Sequence, residues 1–308
     1  WMDNKGLLGY YNILDEKYYA TSLLKLLLNA RQNPDKPYFV ILDEMNLAKV
    51  EQYFSDFLSI MESRTPNNPD GESMELFYAE NAKTHDGTPI PSKLHIPANV
   101  YFTGTVNVDE STYMFSPKVL DRANVIEFND VNLKQYSSSS DKAGAFLLKD
   151  TDVRRGLIDK THSPFCSRED YYEAEKIIGK EITILQDMLN ILHPYNLHFG
   201  YRVVNEVSRF IINTKDMVKK FDINETLDVQ ILQKVLPKFH GSQAKLEEPL
   251  KRLLKFCWLD QTVSGDSFVE ADIENVIQNG HMRFPRSARK LARMIRNLKV
   301  QGYTSFIE

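Results

Sequence analysis

Two adjacent acids, Asp43 and Glu44, close the apolar run Val40-Ile41-Leu42. Such a run suits a strand buried in a parallel sheet, and the acids would then stand at its carboxyl end, where open α/β sheets place their ligands. A first carboxylate at that tip can hold Mg²⁺ on a nucleotide, and a second can polarise an attacking water. Asn107 ends a second apolar run, residues 99–106. Its side chain could hydrogen-bond both the water and a γ-phosphate, or simply cap a strand-to-loop turn. Arg122, within Ser116-Pro117-Lys118-Val119-Leu120-Asp121-Arg122-Ala123, precedes a third run, residues 124–128. That order predicts a guanidinium near the sheet's rim, able to reach a phosphate across a subunit boundary. Pairing with Asp121 or Glu127 is the plainer alternative. Taken together, the three spots read as parts of one hydrolytic site. No Gly-x-x-x-x-Gly-Lys-Ser/Thr occurs in the chain, so the phosphate cradle of such a site is not encoded in these residues.

These side chains need elements to position them. Residues 17–31 are expected to form an amphipathic helix through Leu23, Leu24, Leu27 and Leu28, with Pro34 and Pro37 bounding the loop that follows. After strand 38–42, a helix of about 15 residues is predicted, its apolar face carrying Val50, Phe54, Phe57, Leu58 and Met61. Residues 74–96 read as a hairpin turning at Asp86-Gly87. Residues 99–106 and 124–128 supply two further strands. Residues 134–168, rich in Ser, Lys and Asp, read as a long exposed insertion. From 169 onward the periodicity is helical: 169–192, 201–213, 226–236, 244–258 and about 285–299. Strands interleaved with helices, then helices alone, define an α/β core followed by a helical domain. The expected divisions are 1–132, 133–168 and 169–308.

The bulk numbers narrow the classes. At 308 residues, with 42% apolar and 26% charged residues, the composition is that of an ordinary globular chain. No apolar run reaches the roughly 18 residues of a membrane span, and the first residues lack a signal-peptide design. The net charge of −4 gives no global nucleic-acid signal. Cys166 and Cys257 are expected to be free thiols in a reducing cytoplasm. The histidines lack metal-ligand spacing, and His193 and His198 flank a Pro-Tyr-Asn turn. In the last helix Arg286, Arg289, Lys290, Arg293 and Arg296 recur at spacings of three and four. That stripe could meet a phosphate backbone, but it reads first as a solvated polar face.

The stretches quoted resemble the second half of an AAA+ core, and within that class the McrB family of modified-cytosine restriction GTPases. The resemblance rests on Asp3 to Asn12, on Leu-Asp-Glu-Met-Asn-Leu-Ala (42–48) and on Ser-Pro-Lys-Val-Leu-Asp-Arg-Ala (116–123). It is strong over residues 1–128, weaker in Phe199-Gly200-Tyr201-Arg202, 236–241 and 285–288, and missing from 134–168. It implies a partial AAA+ P-loop NTPase core, with a parallel sheet, flanking helices and a β-hairpin insertion, followed by an all-helical lid. By position, Asp43 resembles the Mg²⁺-holding Walker B acid and Glu44 the water-activating one. Asn107 resembles sensor 1, Arg122 the arginine finger acting on a neighbouring subunit, and Arg202 a nucleotide-contacting sensor 2. The cofactors implied are Mg²⁺ and GTP or ATP. The partners implied are further copies in a hexameric ring, an McrC-like nuclease, and DNA held by an N-terminal domain outside this sequence. The family's Met-Asn-Thr-Ala-Asp-Arg stands here as Val106-Asn107-Val108-Asp109-Glu110-Ser111. It keeps the Asn but not the Thr or Arg, which leaves Arg122 as the finger and the choice of GTP or ATP open. The missing P-loop is expected upstream of Trp1, so this polypeptide alone should turn over no nucleotide. A MoxR-like chaperone ATPase and a nucleotide-dead scaffold are the rival readings.

Overall fold

The computed structural model describes residues 3–78, 82–107, 112–129, 149–159, 165–259, 277 and 280–307. The chain divides into two units: Trp1–Val119 with Ile126–Phe165, and Leu120–Val125 with Cys166–Glu308.

In the first unit, strands β1 (Gly9–Asn12) and β2 (Lys17–Ala20) pair antiparallel. Tyr18 is buried while Tyr19 stacks on Tyr10 at 5.2 Å, an alternation that makes 17–20 a strand rather than the start of a helix. The helix begins instead at Ser22 and runs to Gln32. Thr21 caps it in extended conformation, its side chain accepting the Leu24 N–H at 3.2 Å. Leu24, Leu27 and Ala30 form its buried stripe.

Strand β3 (Tyr38–Leu42) follows. Strands β4 (Met74–Glu75), β5 (Ala82–Lys83), β6 (Pro89–Ile90) and β7 (Lys93–Leu94) build the hairpin as two antiparallel pairs, β4 with β7 and β5 with β6. Gly87, at φ +83, supplies the left-handed turn. Strand β8 (Val100–Gly104) then lies parallel to β3, in register from Tyr38↔Val100 to Leu42↔Gly104.

The expectation of a fully buried β3 is corrected. Val40 and Leu42 are buried, but Phe39 is 58% and Ile41 68% exposed. Apolar packing reaches one face of the β3–β8 pair, where Phe54 stacks on Phe57 at 4.9 Å and Phe102 meets both edge-on. On the strand pair itself, Phe39 stacks on Tyr101 at 5.5 Å. The single helix expected after β3 is also broken. A 3₁₀ turn Met45–Leu47 leads to helices Val50–Tyr53 and Ser55–Glu62, with Phe54 at φ −116, ψ 1 between them. Residues 149–159, expected in an exposed insertion, carry a short helix Asp150–Val153 and pack on this unit. Ile158 is buried, and the Tyr101 hydroxyl donates to the Leu157 carbonyl at 2.5 Å. Residues 134–148 and 160–164 of that expected insertion lie outside the described residues.

Residues 124–128 form no strand. Val125 N–H instead donates to the Gln233 carbonyl at 2.9 Å, and Lys234 Nζ donates to the Ala123 carbonyl at 3.2 Å. These bonds hold the Leu120–Val125 segment, and Arg122 with it, in the second unit.

The second unit is built from helices Arg168–Ile178, Thr183–Leu192, Tyr201–Met217, Ile223–Gln230, Gln243–Phe256 and Pro285–Gln301. Gly179, at φ +59, divides the expected 169–192 helix in two. Ser167 and Asp170 form a capping box at the start of the first. The lid was expected to be all-helical; it contains an antiparallel pair, β9 (His240–Ser242) with β10 (Tyr303–Ser305). This pair ties the chain beyond the last helix to the core, where Phe306 is fully buried. Lys290 leaves the solvated stripe expected of it. It is 5% exposed, its Nζ donating to the Phe306 carbonyl at 2.5 Å and lying 4.2 Å from that ring. Asp228, 2% exposed, accepts the Arg286 and Ser287 N–H groups at 2.8 Å each, capping the last helix from a neighbouring one.

Candidate functional site

β3 and β8 end side by side, and the backbone continues the pairing for one step. Thr105 N–H donates to the Leu42 carbonyl and Met45 N–H to the Thr105 carbonyl, both at 3.0 Å. Asp43 and Glu44 therefore stand exposed at the carboxyl tip of β3. Glu44 is left-handed, at φ 49, ψ 44, which turns the chain sharply into the 3₁₀ turn. A non-glycine residue there stores roughly 1–2 kcal/mol of strain, so the neighbourhood must hold it. Thr105 supplies one hold: its Oγ1 accepts the Glu44 N–H at 2.8 Å and donates to Asp43 Oδ1 at 2.5 Å.

Asn107 lies two residues beyond Thr105, on the loop leaving β8. Its carbonyl accepts from the Asn46 side chain at 2.8 Å, and the Asn46 carbonyl accepts the Tyr113 N–H at 2.9 Å. The Met45 carbonyl accepts the Tyr53 hydroxyl at 2.7 Å. Asn46 is 3% exposed, its Oδ1 buried without a donor among the described residues. The strand tips thus form one braced platform carrying two exposed carboxylates, a hydroxyl and an asparagine. Among the described residues no group of three or more His, Cys, Asp or Glu could hold a metal ion. A cation here would rest on Asp43, with water and ligand oxygens completing its shell. That donor set fits Mg²⁺, which keeps several waters and takes one or two carboxylates.

Arg122 and Arg202 belong to the second unit. Arg202 is the second residue of helix Tyr201–Met217. Its Nη2 lies 3.0 Å from Asp121 Oδ2 and its Nε 3.8 Å from Glu206 Oε1. Lys238 pairs with the other oxygen of Asp121, and Lys234 with Glu206. Burial, then the neighbouring Arg202, lower the pKa of the Arg122 guanidinium below its ordinary value, with Glu206 opposing. Lys234 is likewise lowered by burial, against Glu206. Arg122, Arg202, Lys234 and Lys238 thus gather around two carboxylates, Asp121 and Glu206.

Of the five predicted site residues, the structure thus groups Asp43, Glu44 and Asn107 at one strand tip and Arg122 with Arg202 in the helical unit. Thr105 and Asn46 are the positions that sequence reasoning passed over. Both stand in stretches already singled out, and Asn46 carries a faint signal as a polar residue opening a buried turn. Glu206 and Lys234 gave none, since each reads as a polar position of an amphipathic helix.

Fold and site together define a mixed α/β protein with a small parallel strand pair, an acidic strand tip and a helical C-terminal part. Two similarities to known proteins accompany that architecture. Residues 152–303 match a family described as a domain of unknown function, DUF8727. The type IV methyl-directed restriction enzyme EcoKMcrB subunit of Escherichia coli (strain K12) is 26% identical over 173 residues, 54% of this chain and 31% of that protein. The match therefore spans about a third of that curated relative's length. No solved structure matches. No helix among the described residues is long and apolar enough to cross a membrane.

Proposed function

We propose that this chain carries the hydrolytic half of a McrB-like NTPase acting in a DNA restriction assembly. The observation that supports it most is the braced tip of β3 and β8. Two adjacent carboxylates stand exposed there beside Asn107, on a parallel strand pair, in a chain with distant similarity to a restriction-enzyme subunit. In this reading Asp43 holds Mg²⁺ and Glu44 takes the proton from the attacking water. Asn107 positions that water against the γ-phosphate. The cation, when bound, neutralises charge on the transferring phosphoryl group. Arg122 reaches the nucleotide of a neighbouring copy in a ring, and Arg202 a phosphate of its own, each through a guanidinium that can grip phosphate oxygens in pairs. The reading requires a phosphate-cradling loop that these 308 residues do not encode. An McrC-like nuclease and DNA are the partners.

The experiment is Glu44→Gln in the full-length protein, assayed with GTP and with ATP. Binding should persist while turnover falls by at least about 100-fold, the scale expected when a general base is lost. Turnover near wild type would remove Glu44 from the mechanism and this function with it.

A further inference from the structure

Thr105 makes four hydrogen bonds to the segment 42–45. Two are backbone bonds that any residue could make. The other two belong to its hydroxyl, which accepts from the Glu44 N–H at 2.8 Å and donates to Asp43 Oδ1 at 2.5 Å. Donation to Oδ1 fixes the rotation of the Asp43 carboxylate and leaves Oδ2, which accepts no hydrogen bond from the described residues, as the oxygen open to a cation. Acceptance from the Glu44 N–H fixes the peptide between the two acids and holds Glu44 in its left-handed conformation. One hydroxyl thus sets the direction of both carboxylates. Valine, of the same shape, could do neither, whereas serine keeps the hydroxyl.

We infer that Thr105 is a positioning residue for hydrolysis at Asp43 and Glu44, an inference that rests on the function proposed above. It acts through the two acids, without touching nucleotide. Positioning groups of this kind typically change activity by roughly 10- to 100-fold when removed.

The test compares Thr105→Val, Thr105→Ser and Glu44→Gln in the full-length protein with Mg²⁺ and nucleotide. Thr105→Val should lower kcat by roughly 10- to 100-fold, hold KM within about 2-fold and raise the Mg²⁺ concentration for half-maximal rate. Thr105→Ser should restore kcat to within about 3-fold, because the hydroxyl returns. Independently of activity, amide hydrogen exchange at Glu44 should quicken in Thr105→Val and recover in Thr105→Ser. If Thr105→Val keeps wild-type kcat and Mg²⁺ dependence while Glu44→Gln is dead, the inference fails and the proposed function stands. A loss that serine does not rescue, or unchanged exchange at Glu44, also overturns it. If Glu44→Gln turns over normally, the hydrolytic reading itself is wrong.

Discussion

Asp228→Ala tests whether the helical unit depends on one carboxylate at the start of its last helix. Asp228 is 2% exposed and accepts two N–H groups from the first turn of Pro285–Gln301, each at 2.8 Å; its own carbonyl accepts the Ser287 hydroxyl at 3.1 Å. Alanine strands one buried amide donor (Ser287) and one part-buried (Arg286), the buried one costing about 1–3 kcal/mol and the other less, and removes a negative charge from a helix N-terminus worth about 0.3–1 kcal/mol. The gross sum is reduced by the cost of burying the carboxylate. Burial pushes the Asp228 pKa above its ordinary value despite both amides, so the ionised group is partly uncompensated. The expected net loss is about 2–4 kcal/mol, a large share of the roughly 5–15 kcal/mol that stabilises an ordinary domain. Asp228→Asn keeps one acceptor but sets an amide donor against the second N–H, so it should recover roughly half of that. The assay is urea denaturation in a Trp1→Phe background, so that Trp258 reports the helical unit alone. A loss below about 1 kcal/mol for Asp228→Ala would refute the capping argument.

Two further predictions follow from the first unit. Asn99, 3% exposed, donates its side-chain amide to the carbonyls of Ala30, Asn33 and Lys36 at 3.1, 3.0 and 2.8 Å, pinning the end of helix Ser22–Gln32 to the start of β8. Asn99→Ala should destabilise this unit by about 2–3 kcal/mol in thermal denaturation, and a change within 0.5 kcal/mol would show that these carbonyls find water instead. Asp86 is held well below its ordinary pKa of 3.8, first by the Thr84 hydroxyl, then by the Thr88 hydroxyl and amide. A folded-state pKa below the unfolded one gives stability that is complete above pH 3.8 and lost as pH falls through the depressed value. The difference in urea midpoint between wild type and Asp86→Asn should therefore be flat from about pH 7 to 5 and shrink below about 4; a difference that grows on acidification would reverse the sign.

The sequence reveals local features better than pairings. Val40-Ile41-Leu42 ending in two acids identifies a strand and its tip, and both strand runs with their terminal polar residues lie where expected. What an all-apolar run conceals is which face is covered. Phe39 and Ile41 are as apolar as their buried neighbours, so exposure on one side leaves no period-2 trace. Residues 17–20 were misread because their leucine-rich continuation dominates the helical pattern, while the strand depends on β1, which a window centred on the helix ignores. Residues 124–128 have strand composition but no strand partner. Val125 bonds to Gln233, and Ala123 just before the stretch to Lys234, more than a hundred residues away in sequence, and no local pattern encodes that capture. Thr105 and Asn46 were missed for the same reason. Each matters through contacts 61 or 62 residues distant, visible only once β3 and β8 lie side by side.

The capture of Leu120–Val125 also makes the helical unit a two-piece object. Its longer piece begins at Cys166, yet a peptide from far upstream is threaded into it. A fragment cut at residue 166, or along the 152–303 family boundary, would be an incomplete fold. Lys234, 1% exposed, would lose the Ala123 carbonyl, and Arg202 and Lys238 would lose Asp121. Such a fragment behaves as the larger half of a split protein, with the 120–125 peptide as its complementing half. The arginine-bearing cluster is assembled only when the chain contributes both.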